Sequence, residues 1–144
     1  MIINTRHTGL VVKDLSASIE FYEGLGLTLW KREIETGYFI SQVVGLEHAE
    51  VETAKLEVGD GSLLELLEYK SHPTIYSDIL YPSNKHGCSH IAFTVQDIER
   101  VSTKIISLGG SIVNSPAISA NGLVKVMYCH DLDGILMEMV EELK

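Results

Sequence analysis

Residues 87–110 read GCSHIAFTVQDIERVSTKIISLGG, and this stretch decides the fold because residues 7–27, HTGLVVKDLSASIEFYEGLGL, repeat it in weaker form. With His90 set on His7, an offset of 83, Val95 falls on Val12, Asp97 on Asp14, Leu108 on Leu25 and Gly109 on Gly26. Each copy is a short alternating strand opening on a histidine, then an acidic residue, then an amphipathic helix closed by glycine. A second echo lies in GSLLE at 61–65 and GILME at 134–138, where a glutamate follows a glycine by four places inside an apolar run. Two histidines and two glutamates therefore hold equivalent places in two halves.

Working outward, residues 6–13 predict a strand with Thr8, Leu10 and Val12 on one face and His7, Gly9 and Val11 on the other. Asp14 or Ser16 caps the helix that follows, whose stripe is Leu15, Ile19, Tyr22 and Leu25, and Gly24 and Gly26 end it. Residues 27–32 return as a strand carrying Trp30, the one tryptophan, and residues 38–44 read as either a strand or a short helix. Residues 51–58 and 63–69 form a hairpin across Gly59, Asp60 and Gly61. In the second half, the strand at 90–95 precedes a helix at 98–108 with Ile98, Val101, Ile105 and Leu108 as its stripe. Residues 111–114 follow as a short strand, then a hairpin of 123–129 and 135–140. Each half is thus strand, helix and about three strands, which covers one sheet face with the helix and leaves the other bare. The domain organisation expected is a single domain over 1–144, with module one at 1–70, a connection at 71–86 and module two at 87–144.

Side-chain parity assigns the bare face its chemistry. Ile91, Phe93 and Val95 form the greasy set facing the helix, which leaves His90 opposite with Ala92 and Thr94. Ile135, Met137 and Met139 likewise leave Glu138 on the other face with Leu136 and Val140. Glu65 is not assigned this way, because leucines flank it on both faces. A carboxylate among leucines still needs a partner, since burying it unpaired costs several kcal/mol. Two imidazoles and two carboxylates form a nitrogen and oxygen set suited to a divalent first-row metal in octahedral geometry, with two positions left for water or substrate. The expected metal ligands are His7, Glu65, His90 and Glu138, and the ion is Co, Ni, Mn, Zn or Fe.

Other residues are read more plainly. His48, His72, His86 and His130 lack the duplicated pattern and are expected on the surface or in loops, and Cys88 and Cys129 are expected as buried free thiols. Glu47 and Glu50 lie in a loop that could bring a base to a cavity, and Lys125 could meet an anionic group or lie on an edge face. A net charge of −9 with only 11 Lys and Arg, scattered along the chain, excludes nucleic acid as the expected partner. No apolar run is long enough to span a bilayer and no leader pattern opens the chain, so a cytoplasmic location without membrane partners is expected.

HTGLVVKDLSASIEFYEGLGL, LLELLEY, CSHIAFTVQDIE and HDLDGILMEMVEE together resemble the vicinal oxygen chelate superfamily, which includes glyoxalase I, methylmalonyl-CoA epimerase, extradiol dioxygenases and bleomycin or fosfomycin resistance proteins. The resemblance implies an α+β fold of two βαβββ modules, with mixed sheets curling into a half-barrel or barrel around a metal. It also sets His7, Glu65, His90 and Glu138 on the four ligand positions of the glyoxalase and epimerase branches. The implied activity is a metal-dependent isomerase, epimerase or lyase that removes a proton beside a carbonyl or thioester of a small substrate. Glu138 is the first expected base and Glu65 the second. The glutathione-binding arginine and asparagine of bacterial glyoxalase I fall on Val11 and Tyr69, so a glutathione substrate does not carry over. The alternatives are a non-catalytic drug-binding protein of the bleomycin-resistance type and an extradiol-type dioxygenase. A homodimer is the expected assembly, with modules pairing within the chain or across the dimer.

Overall fold

The computed structural model describes residues 1–75 and 80–143 and divides into two compact units, Met1–Tyr76 and Ser77–Lys144. Residues 76–79 of the expected connection lie outside the described residues. The first unit runs β1 (Thr8–Val11), α1 (Leu15–Gly24), β2 (Thr28–Thr36), α2 (Tyr38–Val44), β3 (Glu50–Glu57) and β4 (Leu63–Tyr69). Its sheet has the order β1-β4-β3-β2, with β1 parallel to β4 and the other pairs antiparallel. The second unit runs β5 (Ile91–Val95), α3 (Ile98–Ser107), β6 (Ser111–Ile112), β7 (Ala117–Ile118), β8 (Val124–His130) and β9 (Leu136–Glu142). Its order is β5-β9-β8-β6, with β5 parallel to β9 and β7 pairing with β8. Both sheets are mixed and open, so neither closes on itself as a barrel. In the first unit β1 and β2 sit on opposite edges, and four strands are too few to close.

Strand periodicity decides which face meets the helix. In the first unit Leu10, Ala54, Leu56, Leu64 and Leu66 are buried on one face, under Leu15, Ile19 and Tyr22 of α1. Phe21, outside the expected stripe, is buried as well, edge-on to Tyr22 with ring centroids 5.2 Å apart. In the second unit Met127, Cys129, Met137 and Met139 are buried with Ile98 and Ile105 of α3. Residues 38–44 resolve to a helix, and Ile40 of α2 buries with Val51 and Ala49 at one end of the opposite face. The repeat offset drops from 83 at the histidines to 73 at the glutamates, and α2 lies within the ten extra residues of the first unit. The strand β7 was not expected; two residues pairing on an edge leave little alternating pattern to read.

The duplication extends to the helix termini. Asp14 accepts from Ala17 N at 2.9 Å and Asp97 from Arg100 N at 2.9 Å, so the caps are the aspartates rather than Ser16. Gly26 and Gly109 take left-handed φ of 106° and 93°, where a side chain would be strained. One residue on, Leu27 N bonds Tyr22 O at 3.1 Å and Gly110 N bonds Ile105 O at 3.0 Å, closing both helices alike. The first helical N–H is satisfied from the last strand of each unit. Leu15 N donates to Glu68 Oε2 at 2.9 Å and Ile98 N to Glu141 Oε2 at 2.8 Å. Each carboxylate also faces the positive end of its helix.

Glu68 belongs to a wider network. Lys70 Nζ lies 2.6 Å from Glu68 Oε1 and 3.1 Å from Glu52 Oε2, and Arg32 joins Glu52 at 2.7 Å to Ser16 at 3.1 Å. Hydrogen bonds from Arg32 first, then from Lys70, hold the Glu52 carboxyl below its ordinary value of 4.5. The thiols are both free, but Cys88 is exposed, against expectation, because it lies in an irregular segment ahead of β5 with no sheet to cover it. Cys129 is fully buried; desolvation first, then the charge of Asp131, pushes its thiol up to about 12.

Three outcomes follow from these contacts. Glu141→Ala removes the acceptor of Ile98 N and is expected to cost about 1 kcal/mol, a drop of roughly 2–5 °C in Tm by calorimetry. Because Glu52 has a depressed folded pKa, its contribution is full above the ordinary carboxylate range and is lost as pH falls through the folded value. Denaturant midpoints of wild type and Glu52→Gln are therefore expected to differ at neutral pH and to converge in acid; a constant gap across pH would contradict the network. A thiol reagent at neutral pH is expected to titrate Cys88 alone in the native chain and both cysteines after unfolding.

Candidate metal centre

In the first unit, Glu65 of β4 is flanked in register by Gly9 of β1 and Lys55 of β3. His7 stands two residues before Gly9 and shares its face, so the parallel pairing lays the imidazole over the carboxylate. His7 Nε2 lies 2.8 Å from Glu65 Oε2, with the glutamate side chain only 13% exposed. Leu64 and Leu66 turn to α1, which settles the face of Glu65 that the leucine-rich strand left open. Gly9 has no positive φ to require a glycine. A Cβ there would meet Leu67 Cδ1 at 3.5 Å, an ordinary contact.

The second unit builds the same pair. Ala92 of β5 and Tyr128 of β8 flank Glu138 of β9 in register, and His90 stands two residues before Ala92. His90 Nε2 lies 3.1 Å from Glu138 Oε2, and His90 Nδ1 meets Ser89 Oγ at 3.0 Å. A histidine held through Nδ1 presents Nε2 for coordination, the arrangement metal-binding histidines commonly show. The Tyr128 ring sits against the imidazole with centroids 5.1 Å apart.

The donor chemistry of both pairs fits a divalent cation. Neighbouring donors on one octahedral ion, each at about 2.1 Å, stand about 3.0 Å apart. The separations of 2.8 and 3.1 Å bracket that value. They are equally the lengths of a histidine–carboxylate hydrogen bond, so each pair is self-satisfied in the structure. Among the described residues no group of three or more His, Cys, Asp or Glu side chains gathers as a metal site; each unit supplies two donors.

The remaining candidates divide differently. Glu47 and Glu50 line a cleft of about 620 Å³ between α2 and the start of β3, with Tyr38, Ser41 and His48, and its lining includes neither His7 nor Glu65. Lys125 pairs with Glu99 of α3, and the hydrogen bond it donates to that carboxylate holds its ammonium pKa above the ordinary lysine value. Its place on the helix-facing side keeps it from the Glu138 face. His48, His72 and His86 lie outside the strands, with His72 Nδ1 at 2.8 Å from Ser71 Oγ. His130 departs from the surface position expected: it ends β8, is 5% exposed, and its Nε2 donates to Tyr81 O at 2.9 Å. Strand pairing with Leu136 pulls it inside. Sequence reasoning missed Lys55 and Tyr128, which both stand ten places before their glutamates; the repeat offset of 73 at the glutamates was the signal that could have found them.

No helix among the described residues is long and apolar enough to cross a membrane. No curated protein matches the chain. Among solved structures, it is similar to a glyoxalase family protein from Bacillus cereus at 29% identity and a TM-score of 0.92, covering 100% of this chain and 97% of that one. A glyoxylase/bleomycin resistance protein/dioxygenase domain from Frankia sp. EAN1pec shares the fold at 17% identity and a TM-score of 0.70, with 100% and 95% covered. So does a variant of the fosfomycin resistance protein FosX from Listeria monocytogenes, solved with Mn(II) and 1S,2S-dihydroxypropylphosphonic acid. It is 19% identical with a TM-score of 0.64, and 96% and 90% of the two chains are covered. A family model matches residues 5–139. With that match added to two units that each hold a His–Glu pair across parallel first and last strands, the chain belongs to the Glyoxalase/Bleomycin resistance protein/Dioxygenase superfamily.

Proposed function

We propose that His7, Glu65, His90 and Glu138 together hold one divalent metal ion, and that the protein is an isomerase, epimerase or lyase acting on a small carbonyl or thioester compound. The observation that carries this reading is the duplicated His–Glu pair, with donors 2.8 and 3.1 Å apart at equivalent places in both units. The nitrogen and oxygen donors suit Mn, Co, Ni, Zn or Fe, and the Mn(II) in the FosX structure supports the same class. Two carboxylates balance the charge of a divalent ion. When bound, the ion would supply a Lewis acid to a substrate carbonyl oxygen, worth several kcal/mol of barrier.

The chain's own residues then move the proton. Glu138 is the base in this reading: its side chain is 23% exposed against 13% for Glu65, so it is the freer carboxylate to turn toward a substrate carbon. It takes the proton beside the carbonyl while the C–H electron pair shifts toward the carbonyl oxygen, then returns it to the other face or the adjacent carbon. Ser89, bonded to His90 Nδ1, keeps the imidazole oriented while Glu138 moves. Glu65, more covered and beside Lys55, stays as an anchor and is second choice as base. Glu47 and Glu50 are held as further candidates, from the cleft they line.

Purified protein is expected to carry or take up one divalent ion per four-donor set, read by elemental analysis, and His90→Ala or Glu65→Gln to lower occupancy at least tenfold. Deuterium from solvent should enter the carbon beside the carbonyl of a turned-over substrate, and Glu138→Gln should abolish that exchange. A chain that stays metal-free whatever ion is offered would instead be a binding protein, and oxygen consumption with ferrous iron would mark a dioxygenase.

A further inference from the structure

The two units present the same His–Glu pair but flank it differently. Beside Glu138 the neighbouring strand offers Tyr128, a neutral ring against His90. Beside Glu65 it offers Lys55, a cation. Directly across the β2/β3 ladder from Lys55 stands Lys31, so two ammonium-bearing side chains share the face that carries the metal donors. Like charges set opposite each other in a sheet are unfavourable unless an anion lies near them. The chain as a whole has a net charge of −9, and among the described strand residues only these two lysines stand on this face.

The two lysines are not equally engaged. Lys31 is bonded to Glu33 at 2.7 Å. Arg32 and Lys70 hold their carboxylates at 2.6 to 3.1 Å, and Lys125 is tightly paired with Glu99. Lys55 stands 3.7 Å from Glu65 Oε1, beyond hydrogen-bond range, and its side chain is only 27% exposed. Its side chain is thus largely covered, and its ammonium has a coulombic partner on which its N–H groups are not spent. The partner is moreover compromised, since Glu65 already serves His7 through Oε2. The other acidic groups on this face, Glu33, Glu35 and Glu57, reach it from β2 and the end of β3. Of these, Glu33 is taken by Lys31.

We propose that Lys55, supported by Lys31, is a specificity-determining residue that binds an anionic group, a carboxylate or phosphonate, of the ligand handled by this face. Together with the metal reading, on which it rests for its catalytic meaning, it narrows the substrate to a small carbonyl compound carrying a negative charge.

Methylphosphonate is the probe, titrated by calorimetry into the full chain with and without one equivalent of Co(II), with uncharged dimethyl methylphosphonate as control. The anion is expected to bind the wild type and the neutral ester not to. Lys55→Met should weaken binding at least tenfold and Lys55→Arg by less than threefold, while Lys125→Met changes nothing. Metal content should be unaltered in all three. Should the methionine variant fail to fold by circular dichroism, Lys55→Gln takes its place. The proposal is overturned if wild type binds no methylphosphonate in either state, or if the folded neutral variant of Lys55 binds it as wild type does. Failure of the metal reading appears separately, as no uptake of Co(II), and leaves the titration of the metal-free chain to decide Lys55.

Discussion

The parallel pairing of the first and last strands in each unit is the constraint on which everything else depends. Parallel neighbours cannot be joined by a tight turn, so the chain must leave β1, cross the sheet with a helix, and lay down the intervening strands before β4 returns beside it. That detour covers one face with α1 or α3 and leaves the other for polar side chains. It also sets residues far apart in sequence side by side: Gly9 beside Glu65 and Ala92 beside Glu138. A one-residue slip in either register would turn the glutamate into the helix interface and send a leucine or methionine to the donor face.

The helix ends show how that register is held. Glu68 and Glu141 each lie three residues beyond the donor glutamate and point to the opposite face, where they accept the first helical N–H. Because strand side chains alternate, a carboxylate that caps the helix and a carboxylate that faces the histidine must differ by an odd number of residues. The same strand therefore ties its helix with one acidic side chain and arms the site with another. In the first unit Lys70, Glu52 and Arg32 extend this tie across β3 and β2, while in the second Lys125 and Glu99 occupy the corresponding region.

Duplication also explains where the units part. The donor pairs, caps and glycine stops are matched, and each answers to a local geometry both units share. The flanks of the glutamates are not matched, with Lys55 in one and Tyr128 in the other. A symmetric pair of His–Glu contacts leaves the two units chemically alike at that point. The unmatched neighbours set the units apart, a cation beside one glutamate and a neutral ring beside the other.

The amino-acid pattern by itself determined the two-module layout, a helix from Leu15 and one read at 98–108 that runs Ile98–Ser107, and the faces of His90 and Glu138, because alternating strands and helical stripes are written in nearest-neighbour spacing. It matched His7 with His90 and Glu65 with Glu138 through the repeat, since equivalent positions can be aligned without knowing distances. Glu65 resisted, its strand being leucine-rich on both faces, and so did residues 38–44 and the short β7, whose patterns suit more than one structure. Tertiary structure decided those, together with the burial of His130 under the Tyr81 backbone, the exposure of Cys88, the pairing of Lys125 with Glu99, and the placing of Lys55 against Glu65. Each of these is a contact between strands or between strand and loop, fixed by register and packing across tens of residues. No local period in the chain encodes such a contact.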